Sequence, residues 1–274
     1  MSYLEGKTLV VTGAAGGFGL LVSERAIARG ATVVMADVRD EALAAAAEPL
    51  GDAALAVTTD VADLGAMKAL AGAALSRFGK IDVWINNAGI MPLAFFSDHE
   101  QAAEAWHRCI DINIKGVLNG LIAAYDPMIA AGRGHVVNLS SIYSNHPVVG
   151  AAVYGASKAA VNFLSESFRV ESQGKIKVTI VRPTGVPLTG LASGVINPEA
   201  VVGIVGQNAG TYGQLMQGFM GGDLPESYTS KDSIEYLVLE PEHLAEQILY
   251  AIDQPDGVAI GDITVRASGD SYIL

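Results

Sequence analysis

The segment Thr12-Gly13-Ala14-Ala15-Gly16-Gly17-Phe18-Gly19 decides the fold. Lys7–Thr12, before it, is a short valine-rich run suited to a strand. Gly17–Arg29, after it, places apolar residues at helical spacing and stops at Gly30, a residue suited to closing a helix. A strand, a glycine turn and a helix make one crossover unit, and the unit repeats. Thr32–Asp37 is a second β-branched run, followed by the alanine-rich helix Asp40–Ala47. Ala54–Asp60 predicts a third strand, Leu64–Phe78 a helix stopped by Gly79, and Ile81–Asn86 a fourth strand. A long helical region, broken or bent, covers Glu100–Ala131 and ends at Gly132. Beyond it come strand His135–Leu139, helix Val153–Gln173, strand Lys177–Arg182, helix Pro241–Gln254 and strand Ala259–Val265.

Near-continuous apolar strands alternating with helices predict an α/β protein. Its parallel sheet of about seven strands is doubly wound, with helices on both faces and ligands at the carboxyl ends of the strands. No repeat, linker or composition break divides residues 1–274, so one domain is expected. Leu188–Glu240 departs from the rhythm, being rich in Gly, Met and aromatics such as Tyr212, Met216, Phe219 and Met220. Two readings stand for it: a surface excursion of short helices, or an apolar lid over a pocket.

Half of the 274 residues are hydrophobic and 17% are charged, enough for a well-buried core. The mean hydropathy of +0.35 owes much to Ala and Val, and no apolar run is long enough to span a bilayer. The opening residues carry no basic flank before an apolar stretch, so no secretion signal is expected. The lone Cys109 allows no intrachain disulfide and fits a cytoplasmic home. A net charge of -12 argues against nucleic acid or an anionic membrane as partner. His99, His107, His135, His146 and His243 are scattered without ligand spacing, and no metal is expected.

In the glycine turn, Gly13 permits the bend, while Gly17 and Gly19 let backbone approach a pyrophosphate and let the helix pack on the strand. The phosphates then face the positive end of that helix. Asp37, ending the second strand, is at the distance of a ribose-binding acid. Its carboxylate accepts from the 2′- and 3′-hydroxyls and repels a 2′-phosphate, which favours NAD and disfavours NADP. Arg39 is the competing signal, and its expected place is the solvent side. Asp60 either accepts from the adenine amino group or caps the following helix.

Tyr154-Gly155-Ala156-Ser157-Lys158 places a phenol and an ammonium one helical turn apart. A phenol is a poor base at neutral pH, and a neighbouring cation favours its phenolate. Ser140 and Ser141 end the fifth strand, where a hydroxyl can hold the reacting oxygen. Asn113 sits mid-helix, where asparagine is mildly unfavourable, and suggests a kink or a water site.

The glycine turn, Asp37, Asp60, Asn86-Asn87-Ala88-Gly89, Asn113, Ser141, Tyr154 and Lys158, in this order, resemble the short-chain dehydrogenase/reductase family. The resemblance runs from about residue 5 to Gln173 and less sharply beyond. It implies a Rossmann-type fold, with a cofactor-binding half of about 1–135 and a catalytic and substrate-binding half of about 136–274. It also implies Asn113, Ser141, Tyr154 and Lys158 as a catalytic tetrad. Ser141 is preferred to Ser140 by its spacing to Tyr154. Lys158 would also bind the nicotinamide ribose, and the Asn113 carbonyl would hold a relay water. Gly13, Gly17, Phe18, Gly19, Asp37, Val38, Asp60, Val61, Asn87, Ala88, Gly89, Tyr154, Lys158, Pro183, Val186 and Thr189 would contact NAD. This chain departs from the family at Pro183-Thr184-Gly185-Val186, where the usual Pro-Gly gains a residue, and at Phe18, which replaces a small aliphatic.

The implied reaction interconverts a secondary alcohol and a ketone. Met91, Ser141, Tyr143, His146 and Tyr154 are the expected substrate contacts. Pro92, Leu93, Phe95, Phe96 and Val149 add to an apolar lining, which suggests a hydrophobic, cyclic or aromatic small molecule. A homo-oligomer, tetramer or dimer, is implied by the family. Two other functions are weighed against this one. A catalytically silent NAD-binding sensor or scaffold would typically lack the tyrosine or lysine, both present here. Dehydratases or epimerases that use the same tyrosine generally carry a larger substrate domain.

Overall fold

A computed structural model describes residues 2–186 and 190–274. Among them seven strands form one sheet: β1 (Thr8–Thr12), β2 (Thr32–Asp37), β3 (Ala54–Thr58), β4 (Val83–Asn86), β5 (Gly134–Leu139), β6 (Ile176–Pro183) and β7 (Asp262–Val265). The order is β3-β2-β1-β4-β5-β6-β7, and every neighbouring pair is parallel. The helices are α1 (Gly17–Ile27), α2 (Asp40–Ala47), α3 (Leu64–Phe78), α4 (His99–Ile110), α5 (Gly116–Ala131), α6 (Ala152–Glu171), α7 (Val202–Val205), α8 (Ala209–Gly221), α9 (Glu226–Thr229) and α10 (Pro241–Ile252).

The two-residue period of a strand sorts the core into two layers. Leu9, Val11, Val33, Met35, Ile85 and Val137 face one side, where they bury Val22 and Ala26 of α1 and Leu244, Ile248 and Leu249 of α10. Val10, Val34, Trp84 and Val136, one residue out of phase, face Met67 and Leu70 of α3, Leu121 and Met128 of α5, and Val161 of α6. Helices on both faces are what parallel strands need to bury both of their surfaces.

The local signals act where the sequence places them. The Asp63 side chain accepts from the Gly65 and Ala66 N–H groups and caps α3, so the capping role left open for Asp60 belongs to its neighbour. Gly79 and Gly132 end α3 and α5 in the left-handed conformation. β1 begins at Thr8, one residue inside its run, and three further strands are shorter than theirs. β3 stops at Thr58 and does not reach Asp60, because β2, its partner, ends at Asp37. β4 begins at Val83 and not at Ile81, and the last strand begins only at Asp262.

The bent helical region resolves into α4, a π turn over Asp111–Lys115, and α5. Asn113 lies in that wider turn, and its side chain bonds out of the helix to the Ile90 main chain. On the face covered by α3, α5 and α6, a polar chain runs from β4 through β5 to α6. Trp84 Nε1 donates to Asn86 Oδ1 (2.9 Å), Asn86 Nδ2 to Asn138 Oδ1 (2.8 Å), and Asn138 Nδ2 to Ser165 Oγ (2.7 Å). All its members are buried and bonded, the condition under which polar groups fix a packing register.

His135, at the start of β5, is buried, and its Nε2 shares a 2.8 Å hydrogen bond with Thr179 Oγ1. Burial, with the charges of Lys177 and Lys7, pushes its pKa down to about 3. The unfolded chain therefore binds a proton there below pH ~6.5 that the folded chain refuses, and stability falls as pH drops from ~6.5 toward 3. Melting temperatures at pH 7.5 and pH 5 check this: the drop should be clearly smaller in His135→Gln than in the parent protein.

Candidate active site

The sheet order reverses between β1 and β4, so the connections leaving their carboxyl ends diverge and leave a crevice. Two turns line it. After β1 the chain bends through Gly17, whose φ of 54° is open to glycine and strained for other residues. α1 then starts without a side-chain cap and without an acid in its first turn, so its N–H groups are free to meet an anion. Gly19 is tighter: a Cβ there would lie 2.3 Å from Gly13 O and 2.7 Å from Asn87 Nδ2. After β4, Asn87 ties the two turns together. Its Nδ2 donates to Thr12 O (2.8 Å) and Gly13 O (3.1 Å), and its N–H donates to Thr12 Oγ1 (3.0 Å). Ala88 N–H donates to the same hydroxyl.

Asp37 stands at the crevice end of β2 with a buried side chain. It accepts from Ala15 N–H (3.1 Å), Arg39 N–H (3.0 Å), Arg39 Nε (3.0 Å) and Arg39 Nη2 (3.0 Å). Burial alone would raise its pKa, but these bonds and the guanidinium charge outweigh it and hold the carboxyl below its usual value. Arg39, expected toward solvent, instead folds back onto Asp37, although its own side chain stays 60% exposed. Val38 is exposed and Val61 buried, with the Val61 carbonyl accepting from Asn119 Nδ2. Asp60 is exposed, and its Oδ1 accepts from Ala62 N–H.

Across the crevice, α6 carries Tyr154 and Lys158 to the end of β5. Both are buried, and Lys158 Nζ lies 5.8 Å from the Tyr154 ring centre. Nζ donates to Leu139 O at 2.8 Å. Gly89 passes beneath: a Cβ on it would lie 3.2 Å from Asn113 Oδ1 and 3.4 Å from Lys158 Nζ. Asn113 is locked, its Nδ2 donating to Ile90 O (2.9 Å) and Ser157 Oγ (3.0 Å) while its Oδ1 accepts from Ile90 N–H (3.0 Å). Ser140 turns away, donating to Lys158 O, whereas Ser141 reaches the cavity wall. Burial drives the Tyr154 phenol above its ordinary pKa; the Ser141 hydroxyl opposes the shift, and Cys109 adds to it. The lysine was expected to lower the phenol, but desolvation wins. Burial also brings Lys158 down to about 8. Both groups are thus pushed toward their neutral forms.

Beside Ser141 and Tyr154 lies a largely apolar cavity of about 210 Å³. Met91, Leu93 and Tyr143 line it as expected, and Pro183 and Val186, expected against the cofactor, line it too. Pro92, Phe95, Phe96, His146 and Val149 are not part of its wall; His146 and Val149 sit on the exposed side of their loop. Thr189 lies outside the described residues, as does Leu188, the first residue of the excursion. Residues 190–240 form short helical pieces and give the cavity Leu191, Val195, Ile204, Tyr212, Met216 and Leu237. Phe18 also lines it, from the start of α1, and so do Thr184, Asp270 and Tyr272. No spacing rule pointed to Asp270 or Tyr272, which arrive from beyond the last strand. The one sequence signal near them was the extra residue before Gly185.

Residues 7–199 match the family described as short chain dehydrogenase. An uncharacterized oxidoreductase of Listeria monocytogenes is 32% identical, over 98% of this chain and 99% of that protein. Glycine betaine reductase of Emericella nidulans is 31% identical over 96% of this chain, which spans only 19% of that protein's length. Among solved structures, a short chain dehydrogenase/reductase from Burkholderia phymatum in complex with NAD is similar. It has 28% identity and a TM-score of 0.74, covering 96% of this chain and 90% of that one. Serine dehydrogenase complexed with NADP+ has 26% identity and a TM-score of 0.76, covering 94% of each chain.

Gly19→Ala tests the turn. Its methyl would meet main chain that has no room to yield, an overpacking worth ~1–3 kcal/mol. For a domain of this size that lowers the melting temperature by roughly 2–10 °C, measurable by calorimetry. An unchanged melting temperature would show that the turn is looser than described.

Proposed function

The chain belongs to the short-chain dehydrogenase family of oxidoreductases, and we propose that it interconverts a secondary alcohol and a ketone with NAD. One observation carries this reading: Ser141 and Tyr154 meet at the wall of an apolar cavity, with Lys158 buried directly behind the phenol. The crevice fits a dinucleotide, because α1 begins uncapped beside Gly17 and a Cβ on Gly17 would touch nothing within 4 Å. Those N–H groups, together with Gly13, Phe18 and Gly19, would hold the pyrophosphate side. Asp37, Val38, Asp60 and Val61 would hold the adenosine. Asn87, Ala88, Gly89, Lys158, Pro183, Val186 and Thr189 would hold the nicotinamide half. When bound, NAD supplies the hydride acceptor at nicotinamide C4, and NADH the donor in the reverse direction.

The remaining work falls to the chain's own side chains. Ser141 Oγ hydrogen-bonds the reacting oxygen and keeps it beside the Tyr154 hydroxyl. Desolvation leaves the phenol protonated, ready to give its proton to a ketone. In oxidation the same oxygen takes the alcohol proton, and the Ser141 hydroxyl favours that phenolate form. Lys158 lends positive charge below its pKa of about 8 and passes the proton toward solvent through a water on the Asn113 carbonyl. The Asn113 side chain positions that carbonyl by anchoring the π turn to Ile90 and Ser157.

NAD is favoured because Asp37 is held ionised at the ribose position, and Arg39 is engaged with Asp37. Exposed apolar side chains on α5 (Leu118, Ile122, Tyr125) and on α6 (Phe163, Val170) support a homo-oligomer, tetramer or dimer. The single buried cysteine supports a cytoplasmic home, and the substrate is a small hydrophobic alcohol or ketone.

NADH absorbance during incubation with NAD and a panel of secondary alcohols tests the reaction. Tyr154→Phe should lower kcat by roughly 10²- to 10⁴-fold. NAD binding without turnover on any alcohol would favour a silent binder. Oxidation should quicken, and reduction slow, as pH rises through the region of 8 where the tyrosine–lysine unit loses its proton. A flat profile in both directions would rule out this proton path. Asp37→Ser should raise the NADP-to-NAD ratio of kcat/KM by at least about tenfold, a change of ~1.4 kcal/mol. A ratio that stays put would remove Asp37 from cofactor choice.

A further inference from the structure

The extra residue in Pro183-Thr184-Gly185-Val186 has a structural counterpart. A Cβ placed on Gly185 would lie 1.6 Å from the Tyr272 hydroxyl and 2.4 Å from its Cζ. The Tyr272 phenol therefore lies directly on the Gly185 main chain, in the space any other residue would fill. Its backbone is fixed from several sides. Ile273 N–H donates to Ile204 O (3.0 Å), and Asn208 Nδ2 donates to Ser271 O (2.9 Å). Arg266 grips Asp270 through Nε (3.0 Å) and Nη2 (2.8 Å), and Gly269 N–H donates to Tyr236 O (2.8 Å). The loop after β6, the excursion of residues 190–240 and the segment after β7 thus converge on one aromatic ring.

That ring faces the cavity in aromatic company. Tyr212 stands 6.0 Å from Tyr272 between ring centres, and Tyr143 stands 5.4 Å from Tyr154. Burial, with Tyr212 and Tyr143 close by, keeps the Tyr272 phenol neutral. Asp270 also lines the cavity, but its charge is neutralised by Arg266, so this wall offers no site for a cationic substrate group. The wall is aromatic, uncharged and set in place by a glycine.

We propose that Tyr272, seated on Gly185, is the residue that determines substrate size, admitting alcohols whose substituent is a single ring and excluding larger fused rings. This rests on the redox reading of the site given above. A single aromatic or alicyclic ring finds edge and face contacts among Tyr143, Tyr212 and Tyr272, the geometry aromatic groups prefer. On this proposal a second fused ring meets the Tyr272 phenol in the cavity wall. The two positions act as one device. Removing the phenol opens the cavity, and a methyl on Gly185 opens it as well, by driving the phenol out. The backbone at Gly185 tolerates alanine, since its φ is not among the positive ones.

The test is the ratio of kcat/KM for 1-(2-naphthyl)ethanol to that for 1-phenylethanol. It is measured in the parent protein, Tyr272→Ala, Gly185→Ala, the double variant and Tyr272→Phe. Each single alanine variant should raise the ratio by roughly tenfold or more. The double variant should match either single one, since both displace the same ring. Tyr272→Phe should keep the parent ratio, because the ring sets the limit and the hydroxyl does not. Ratios unchanged in both single alanine variants, or effects that multiply in the double, would overturn the proposal while leaving the redox reading intact. Calorimetric titration of the cofactor-free proteins with 2-acetonaphthone gives a readout independent of turnover. Binding gained in both alanine variants and absent in the parent supports the size limit even if no alcohol is oxidised, and equal binding in all variants overturns it.

Discussion

The carboxyl edge of the sheet depends on the hydrogen bonds that Asn87 sends to Thr12 and Gly13. β1 and β4 are neighbours, but the chain leaves them in different directions, which opens a crevice and deprives the turn peptides of ladder partners. A buried peptide oxygen without a partner is costly. Asn87 supplies two of the missing donors with one amide, and Gly19 lets α1 come close enough for that amide to reach. The free N–H groups of α1 are thereby fixed in direction.

On the far side of the crevice, burial sets the chemistry. Tyr154 and Lys158 are both shut from water, which disfavours the charged form of each. A phenol that stays protonated and an ammonium that titrates near 8 suit a group that must give a proton in one direction and take it in the other. Ser141 is the local counterweight on the phenol. The positive charge expected to lower the tyrosine does not prevail in the free chain, because burial outweighs it. Polar order continues beneath the site. The Trp84–Asn86–Asn138–Ser165 chain links β4, β5 and α6, so the strand that leads to Ser141 and the helix bearing Tyr154 share one register.

The apolar cavity is assembled differently. Its walls come from the β4 loop, the β6 loop, the excursion and the segment after β7, and they meet through side chains far apart in the chain. The contact between Gly185 and Tyr272 joins positions 87 residues apart on strands and loops with no common local pattern. The crevice between β1 and β4 thus adjoins a pocket walled by residues distant in sequence.

The sequence determined what local rules can carry. Strand and helix periods placed β1, β2, α2 and α3 within a residue or so, because burial on alternate faces leaves a readable pattern. The glycine turn and Asp37 were legible from their places at strand ends, and Asn87, Asn113, Ser141, Tyr154 and Lys158 from an order and spacing that resemble the family's. Tertiary structure decided what depends on partners distant in sequence. It turned Arg39 onto Asp37, left His146 outside the cavity, brought Phe18 and Tyr272 into it, and let desolvation overrule the lysine's charge at Tyr154. Burial and side-chain neighbours are properties of the packed chain, and no spacing within the sequence encodes them.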